Sequence, residues 1–144
     1  MEEEIRQLIL QRVLAVKKRE ISKLSMYYTN DVILFDVVGN LKYTGIDALI
    51  KRLKEWLASL SEIKDFEISD IKIEAASDIA CSSGLNHVDA ITADKNKLDM
   101  YWRETTCYTK SDGVWKIMHT HSSVPFDPTT GKALAHLKPD LIVK

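Results

Sequence analysis

A change of hydrophobic period part-way along the chain limits what it can fold into. In most of the chain up to Leu60, over 2–17, 21–28 and 46–60, the apolar side chains return every three to four positions, the repeat of a helix with one buried face. Beyond Phe66 they alternate, the repeat of a strand that buries one face of a sheet. Ile5, Leu8, Ile9, Val13 and Val16 predict an amphipathic helix over 2–17. Its acidic start at Glu2 to Glu4 and its basic end at Lys17 to Arg19 both suit the helix dipole. After a polar break at Lys17 to Glu20, a shorter helix through Ile21, Leu24 and Tyr28 is expected, ended by Thr29-Asn30-Asp31. Val32 to Phe35 has strand composition, Gly39-Asn40 reads as a turn, and Leu41 to Tyr43 as a short returning strand. Ile46, Leu49, Ile50, Leu53, Trp56, Leu57 and Leu60 predict a third helix, with Lys51, Arg52 and Lys54 on its other side.

Four strands are then expected: Phe66 to Ile73, Ile79 to Ala90, Leu98 to Thr109 and Val114 to Val124. Asp78, Ala93 to Asn96 and Ser111-Asp112-Gly113 are the turns, each short enough for an antiparallel hairpin. Helices first and hairpins afterwards define an α+β fold, with helices on one face of an antiparallel sheet. A single domain accounts for all 144 residues. Segment 125–144, with Pro125, Pro128, Gly131 and Pro139, reads as an irregular strap apart from a turn of helix at Lys132 to Leu137.

The net charge is −1 and no block of like charges occurs, so neither nucleic acid nor a membrane surface is an expected partner. The Met1-Glu-Glu-Glu start has the wrong charge for a secretory leader, and no apolar run approaches the roughly 20 residues that span a bilayer. A soluble cytoplasmic protein is the expectation. Cys81 and Cys107 lack the spacing of a redox pair or zinc cage and are expected as buried free thiols.

The residues that carry chemistry cluster late in the chain. In Trp115-Lys-Ile-Met-His119-Thr-His121-Ser-Ser123, strict alternation places Trp115, Ile117, His119, His121 and Ser123 on one face, and Lys116, Met118, Thr120 and Ser122 on the other. Three readings of the histidine pair stand open: lining of a polar pocket, structural hydrogen bonding, or metal ligation with His87 as a third ligand. Asp36 closes an apolar strand and is either a desolvated general base or a cap of the Gly39 turn. Arg103, mid-strand beside Trp102, calls for a carboxylate partner such as Asp36, Asp89 or Glu104, or an anionic ligand. Tyr27, Tyr28, Trp56 and Trp102 serve either as core or as pocket wall. No phosphate loop, nucleophile elbow or Ser-His-Asp order is present, so no cofactor is expected.

Three stretches carry a resemblance. Asp31-Val-Ile-Leu-Phe-Asp36-Val-Val-Gly-Asn-Leu-Lys-Tyr-Thr-Gly45, Leu98-Asp-Met-Tyr-Trp-Arg103-Glu-Thr105, and Asp112 to Ala133 with its His-x-His-x-Ser-Val-Pro-Phe-Asp signature resemble the SnoaL-like proteins, described as ketosteroid isomerase homologues. The resemblance implies the cone of the nuclear transport factor 2 superfamily: a curved sheet around a pocket closed by N-terminal helices. It also implies a homodimer. Asp36 falls where ketosteroid isomerases hold their general base. Val13 and Thr105 stand where those enzymes have a tyrosine and a protonated aspartate, so their oxyanion hole is not carried over. Thr120 replaces the glutamate usual between the two histidines, and His136 an acidic residue.

The function this implies is binding of a compact, largely apolar, carbonyl-containing molecule, with cofactor-independent acid/base chemistry of isomerase, cyclase or dehydratase type. The catalytic candidates are Asp36, His119 and His121; the ligand-contact candidates are Tyr28, Trp56, His87, Trp102, Arg103 and Thr105. The alternative is a non-catalytic ligand-binding or dimerisation module of the same fold.

Overall fold

The computed structural model describes residues 1–139; the last five residues of the expected strap lie outside them. Three helices, α1 (Glu2–Lys17), α2 (Ile21–Ser25) and α3 (Ile46–Ala58), are joined to six strands. The strands are β1 (Tyr28–Phe35), β2 (Tyr43–Thr44), β3 (Leu60–Ala75), β4 (Ile79–Thr92), β5 (Lys97–Ser111) and β6 (Val114–Ser123). They form one curved, unclosed sheet in the order β2-β1-β6-β5-β4-β3. Every neighbouring pair is antiparallel except β1 and β6, which run parallel. The α+β class is as the periodicity implies. The boundaries shift: Tyr28 opens β1 rather than closing a helix, Leu60 opens β3 rather than closing α3, and Ala133 bridges to Phe126 where a helical turn was expected.

α1 packs across β3 and β6, and α3 across β1, so the helices cover one face, here called inner. Two apolar clusters fill the space between. One gathers Ile5, Leu8 and Ile9 of α1 with Val32, Tyr108, Trp115 and Ile117. The other gathers Ala15 and Val16 with Leu24, Leu57, Phe66, Val88 and Ala90. Arg12 sits between them on the same buried stripe of α1. A cation in the middle of an apolar stripe must be matched, and its match organises the site described below.

β-bulges aim the sheet's side chains. The β5–β6 register shifts between Cys107 and Tyr108, which pair with His119 and Ile117, leaving Met118 as the extra residue. Strict alternation therefore fails across Met118. Trp115 and Ile117 point inward as expected, but beyond the bulge Thr120 and Ser122 are the buried residues, and His121 is exposed. This corrects the expectation that both histidines share a face with Trp115. β3 is bulged as well, between Ser69 and Lys72, with Asp70 at φ 52°. Opposite that bulge stands Gly84, where a Cβ would lie 3.0 Å from Ile68 Cγ2 and 3.1 Å from the Ser69 carbonyl oxygen, so a side chain there would push the strands apart. Cys81 is exposed and Cys107 half-buried; both point to the outer face, which corrects their expected burial.

Candidate functional site

Arg12 reaches from α1 to β5. Its Nη1 and Nη2 donate to Glu104 Oε1 and Oε2 at 2.8 and 2.7 Å, a bidentate fork, and its Nε donates to Tyr28 Oη at 3.1 Å. Thr106 Oγ1 donates to Glu104 Oε1 at 3.4 Å. All four side chains are buried. Burial opposes the Arg12 charge, but the Glu104 carboxylate more than offsets it, so the guanidinium pKa is raised well above its ordinary value. Burial raises the Tyr28 phenol, with Arg12 pulling the other way. Tyr28 is thus a neutral group that accepts from Arg12 and keeps its own O–H as a donor.

This pair forms the floor of a cavity of about 200 Å³ between the inner sheet face and the helices. Leu24, Leu34, Leu49, Leu53, Val88, Leu98 and Met100 line it, together with Trp56, Phe66 and Trp102. The three aromatics form a wall, with ring centroids 5.8 to 6.1 Å apart. Trp56 and Trp102 come from a helix and a strand distant in sequence, and edge-to-face contact holds them at right angles, 84°. Thr120 and Ser122 reach the lining because of the β6 bulge.

At another part of the lining, Asp36 Oδ2 accepts from Arg52 Nε at 2.9 Å, while Asp36 Oδ1 accepts from the Val37 N–H at 2.7 Å. Arg52 also donates to Glu55 at 3.3 Å. The period of α3 puts Arg52 on the side opposite its apolar residues; in the structure its side chain is 15% exposed and lines the cavity. Burial disfavours its charge, but hydrogen bonding to Asp36 and the Asp36 charge raise its pKa on balance. The charged lining residues are Arg12, Arg52, Asp36 and Glu104. Two of each sign, mutually paired, leave the cavity without net charge, which suits a neutral molecule better than an anion.

Asn86 completes the polar set. It is 1% exposed, lines the cavity, and its Oδ1 has no hydrogen-bond partner in the protein. A buried amide oxygen left unpaired costs about 1–3 kcal/mol, so a donor entering the cavity gains by meeting it.

The sequence-predicted residues divide in two. Asp36, Tyr28, Trp56 and Trp102 meet in the cavity lining. His87, Arg103, Thr105, His119 and His121 do not line it. His119 Nδ1 donates to the Ile33 carbonyl at 2.8 Å, and Phe35 packs edge-on against both imidazoles. His87 stacks on Tyr101 and bonds Asp99 at 2.6 Å. Hydrogen bonding from Lys138 first, then from His87, holds the Asp99 carboxyl below the usual range. Arg103 is exposed and bonds Ser123 Oγ at 3.1 Å rather than any of the carboxylates proposed for it. Thr105, its neighbour on that face, is exposed too; the β5 carboxylate that reaches the cavity is Glu104. Among the described residues no group of three or more His, Cys, Asp or Glu is arranged to hold a metal ion, and no helix is long and apolar enough to cross a membrane.

Arg12, Arg52, Asn86, Glu104, Thr120 and Ser122 also line the cavity and are not among the site residues expected from the sequence. Two of them carried a readable signal. Arg12 occupies a position the 5, 8, 9, 12, 15, 16 repeat reserves for apolar residues. Glu104 stands in the alternating row Leu98, Met100, Trp102, Glu104, Thr106, Tyr108. A charge in a buried row, twice, announces a pair.

A helix-covered, curved sheet enclosing an apolar cavity with a buried polar floor defines the class: an NTF2-like α+β cone. Residues 5–127 match the SnoaL-like domain, and the chain belongs to that family. An NTF2-like protein of unknown function from Pseudomonas putida KT2440 is similar over 96% of both chains, with 32% identity and a TM-score of 0.86. A Xanthomonas campestris protein named for a calcium/calmodulin-dependent protein kinase II association domain shares the fold at 22% identity and TM-score 0.73, over 83% of this chain and 84% of its own. The hexachlorocyclohexane dehydrochlorinase LinA-type3 of Novosphingobium barchaimii does so at 18% identity and TM-score 0.74, over 96% and 94%. No curated protein matches the sequence.

Proposed function

We propose that this protein binds a compact, neutral, largely apolar molecule carrying a carbonyl or hydroxyl group, and that Asp36 exchanges a proton with it. The observation that carries the reading is the cavity itself: an aromatic and aliphatic wall with Asn86, Tyr28 and the Asp36–Arg52 pair converging on one space. Sites of this kind use apolar area for affinity and a few fixed polar groups for orientation. Each Asp36 oxygen has one protein donor, so lone pairs remain to take a proton. Arg52 beside it provides positive charge where an enolate or alkoxide oxygen would develop. A neighbour of the same fold is named as a dehydrochlorinase, and base-initiated elimination is one reaction that needs such a base. The histidines of β6 have no part in this chemistry.

Asp36→Asn tests it. The variant has the shape of the original side chain and its amide oxygen can still accept one of the two hydrogen bonds, from Arg52 or from Val37, but it loses the base. The expected outcome, on a ligand found by screening neutral carbonyl compounds, is retained binding with turnover lowered at least about 100-fold. Equal turnover by wild type and Asp36→Asn would end the proton-transfer half of the proposal.

A second reading, an assembly module, draws on the outer face, where Phe35 and the two imidazoles form a cluster and Ile79 is 52% exposed. It predicts a homodimer by sedimentation that Phe35→Asp and Ile79→Asp dissociate, with ligand binding untouched.

A further inference from the structure

β4 and β5 bring two cysteines face to face. Cys81 and Cys107 are direct partners in the antiparallel register, which runs from Ile79–Thr109 to Ile91–Lys97 without a shift. Hydrogen bonds beyond both ends fix what kind of pair they make. Lys110 N donates to the Asp78 carbonyl at 2.9 Å, and Thr92 N to the Asn96 carbonyl at 2.8 Å. A bond between directly opposite residues marks a hydrogen-bonded pair, and such pairs alternate with non-hydrogen-bonded ones. Counting inward from either end, Ala80–Tyr108 and Ser82–Thr106 are hydrogen-bonded pairs and Cys81–Cys107 is a non-hydrogen-bonded one. Partners of that kind have Cα atoms about 4.5 Å apart and the closest side chains in a sheet. A disulfide spans Cα separations of about 4.4–6.8 Å. Both thiols are free, both lie on the outer face, and Cys81 is exposed.

We propose that Cys81 and Cys107 form a reversible intramolecular disulfide, made and broken by exchange with small thiols and disulfides. Exposed Cys81 is the entry point. Its thiolate attacks one sulfur of a small disulfide, forming a mixed disulfide and releasing one small thiolate, which takes up a proton. The Cys107 thiolate then attacks Cys81 Sγ and displaces the second small thiolate. Two cysteine thiols are oxidised, one small disulfide is reduced to two thiols, and the two protons end on those thiols. Burial, and then the neighbouring Cys81 charge, raise the Cys107 thiol, so the closing step accelerates as pH rises. On the inner side of the same strands Ser82 Oγ and Tyr108 Oη are hydrogen-bonded at 2.7 Å, so the bridge ties together strands that back the cavity floor.

The test is intact-mass analysis of the purified protein equilibrated in glutathione buffers of increasing oxidised fraction and quenched with acid. The expected species is monomeric, lighter by two hydrogens, free of glutathione and reversed by added thiol. Cys81→Ser and Cys107→Ser should each accumulate a glutathione adduct in its place. Wild-type protein that retains glutathione, forms a covalent dimer, or stays fully reduced through the series would overturn the proposal. The wild-type measurement decides even if a serine variant misfolds.

Discussion

Arg12 and Glu104 show how a single pair shapes the interior. Each interrupts a buried apolar row, and each is tolerated only because the other stands opposite at 2.7 to 2.8 Å. Removing one partner leaves a buried charge unmatched, so Arg12→Met or Glu104→Leu alone should lower stability by about 3–5 kcal/mol in denaturant unfolding. The double variant should recover most of that loss, because a matched apolar pair replaces a matched ionic one. If the two single losses simply added, the pair would not be coupled as the geometry requires. His121, exposed beyond the bulge, is the contrasting case. His121→Ala should change stability by no more than about 0.5 kcal/mol, and by the same geometry it should leave cavity ligands unaffected.

Elements built on local rules are those the sequence displays most openly. The Ser111 to Val114 hairpin closes through Asp112 and Gly113, at φ 51° and 77°, the two positive angles of the turn that Asp-Gly favours. An added Cβ at Gly113 meets nothing within 4 Å, so the penalty of Gly113→Ala is purely one of backbone conformation. It should amount to about 1–2 kcal/mol in the same unfolding measurement. The helices, the hairpins and two of the three wall aromatics, Trp56 and Trp102, were legible for the same reason: period and turn chemistry are properties of neighbouring residues. The face of the β6 histidines was not. Nothing in Ile117-Met118-His119 announces a bulge, and one extra residue turns every later side chain to the other side. Arg52 was misplaced because its partner Asp36 lies on another element, and only the packing of α3 against β1 brings them together.

At the scale of the whole molecule, residues of both apolar clusters line a cavity whose charged groups are mutually paired, and pH should act through the groups that line and back it. Burial raises the phenols of Tyr28 and Tyr108 above their ordinary value of 10.0. The unfolded chain releases these protons near that value while the native protein holds them. Their contribution is therefore complete below it and is lost as pH rises through the higher native values. Thermal melts should show stability falling above about pH 10, and Tyr108→Phe should flatten that fall. A small neutral molecule is the proposed occupant of the cavity. The most direct test is fluorine NMR of fluorotryptophan-labelled protein titrated with compact carbonyl compounds. Trp56 and Trp102 line the cavity and Trp115 lies in the core away from it. A compound bound in the cavity should shift the Trp56 and Trp102 resonances together and leave Trp115 in place. A compound that binds by calorimetry yet moves neither wall tryptophan resonance would contradict the proposal.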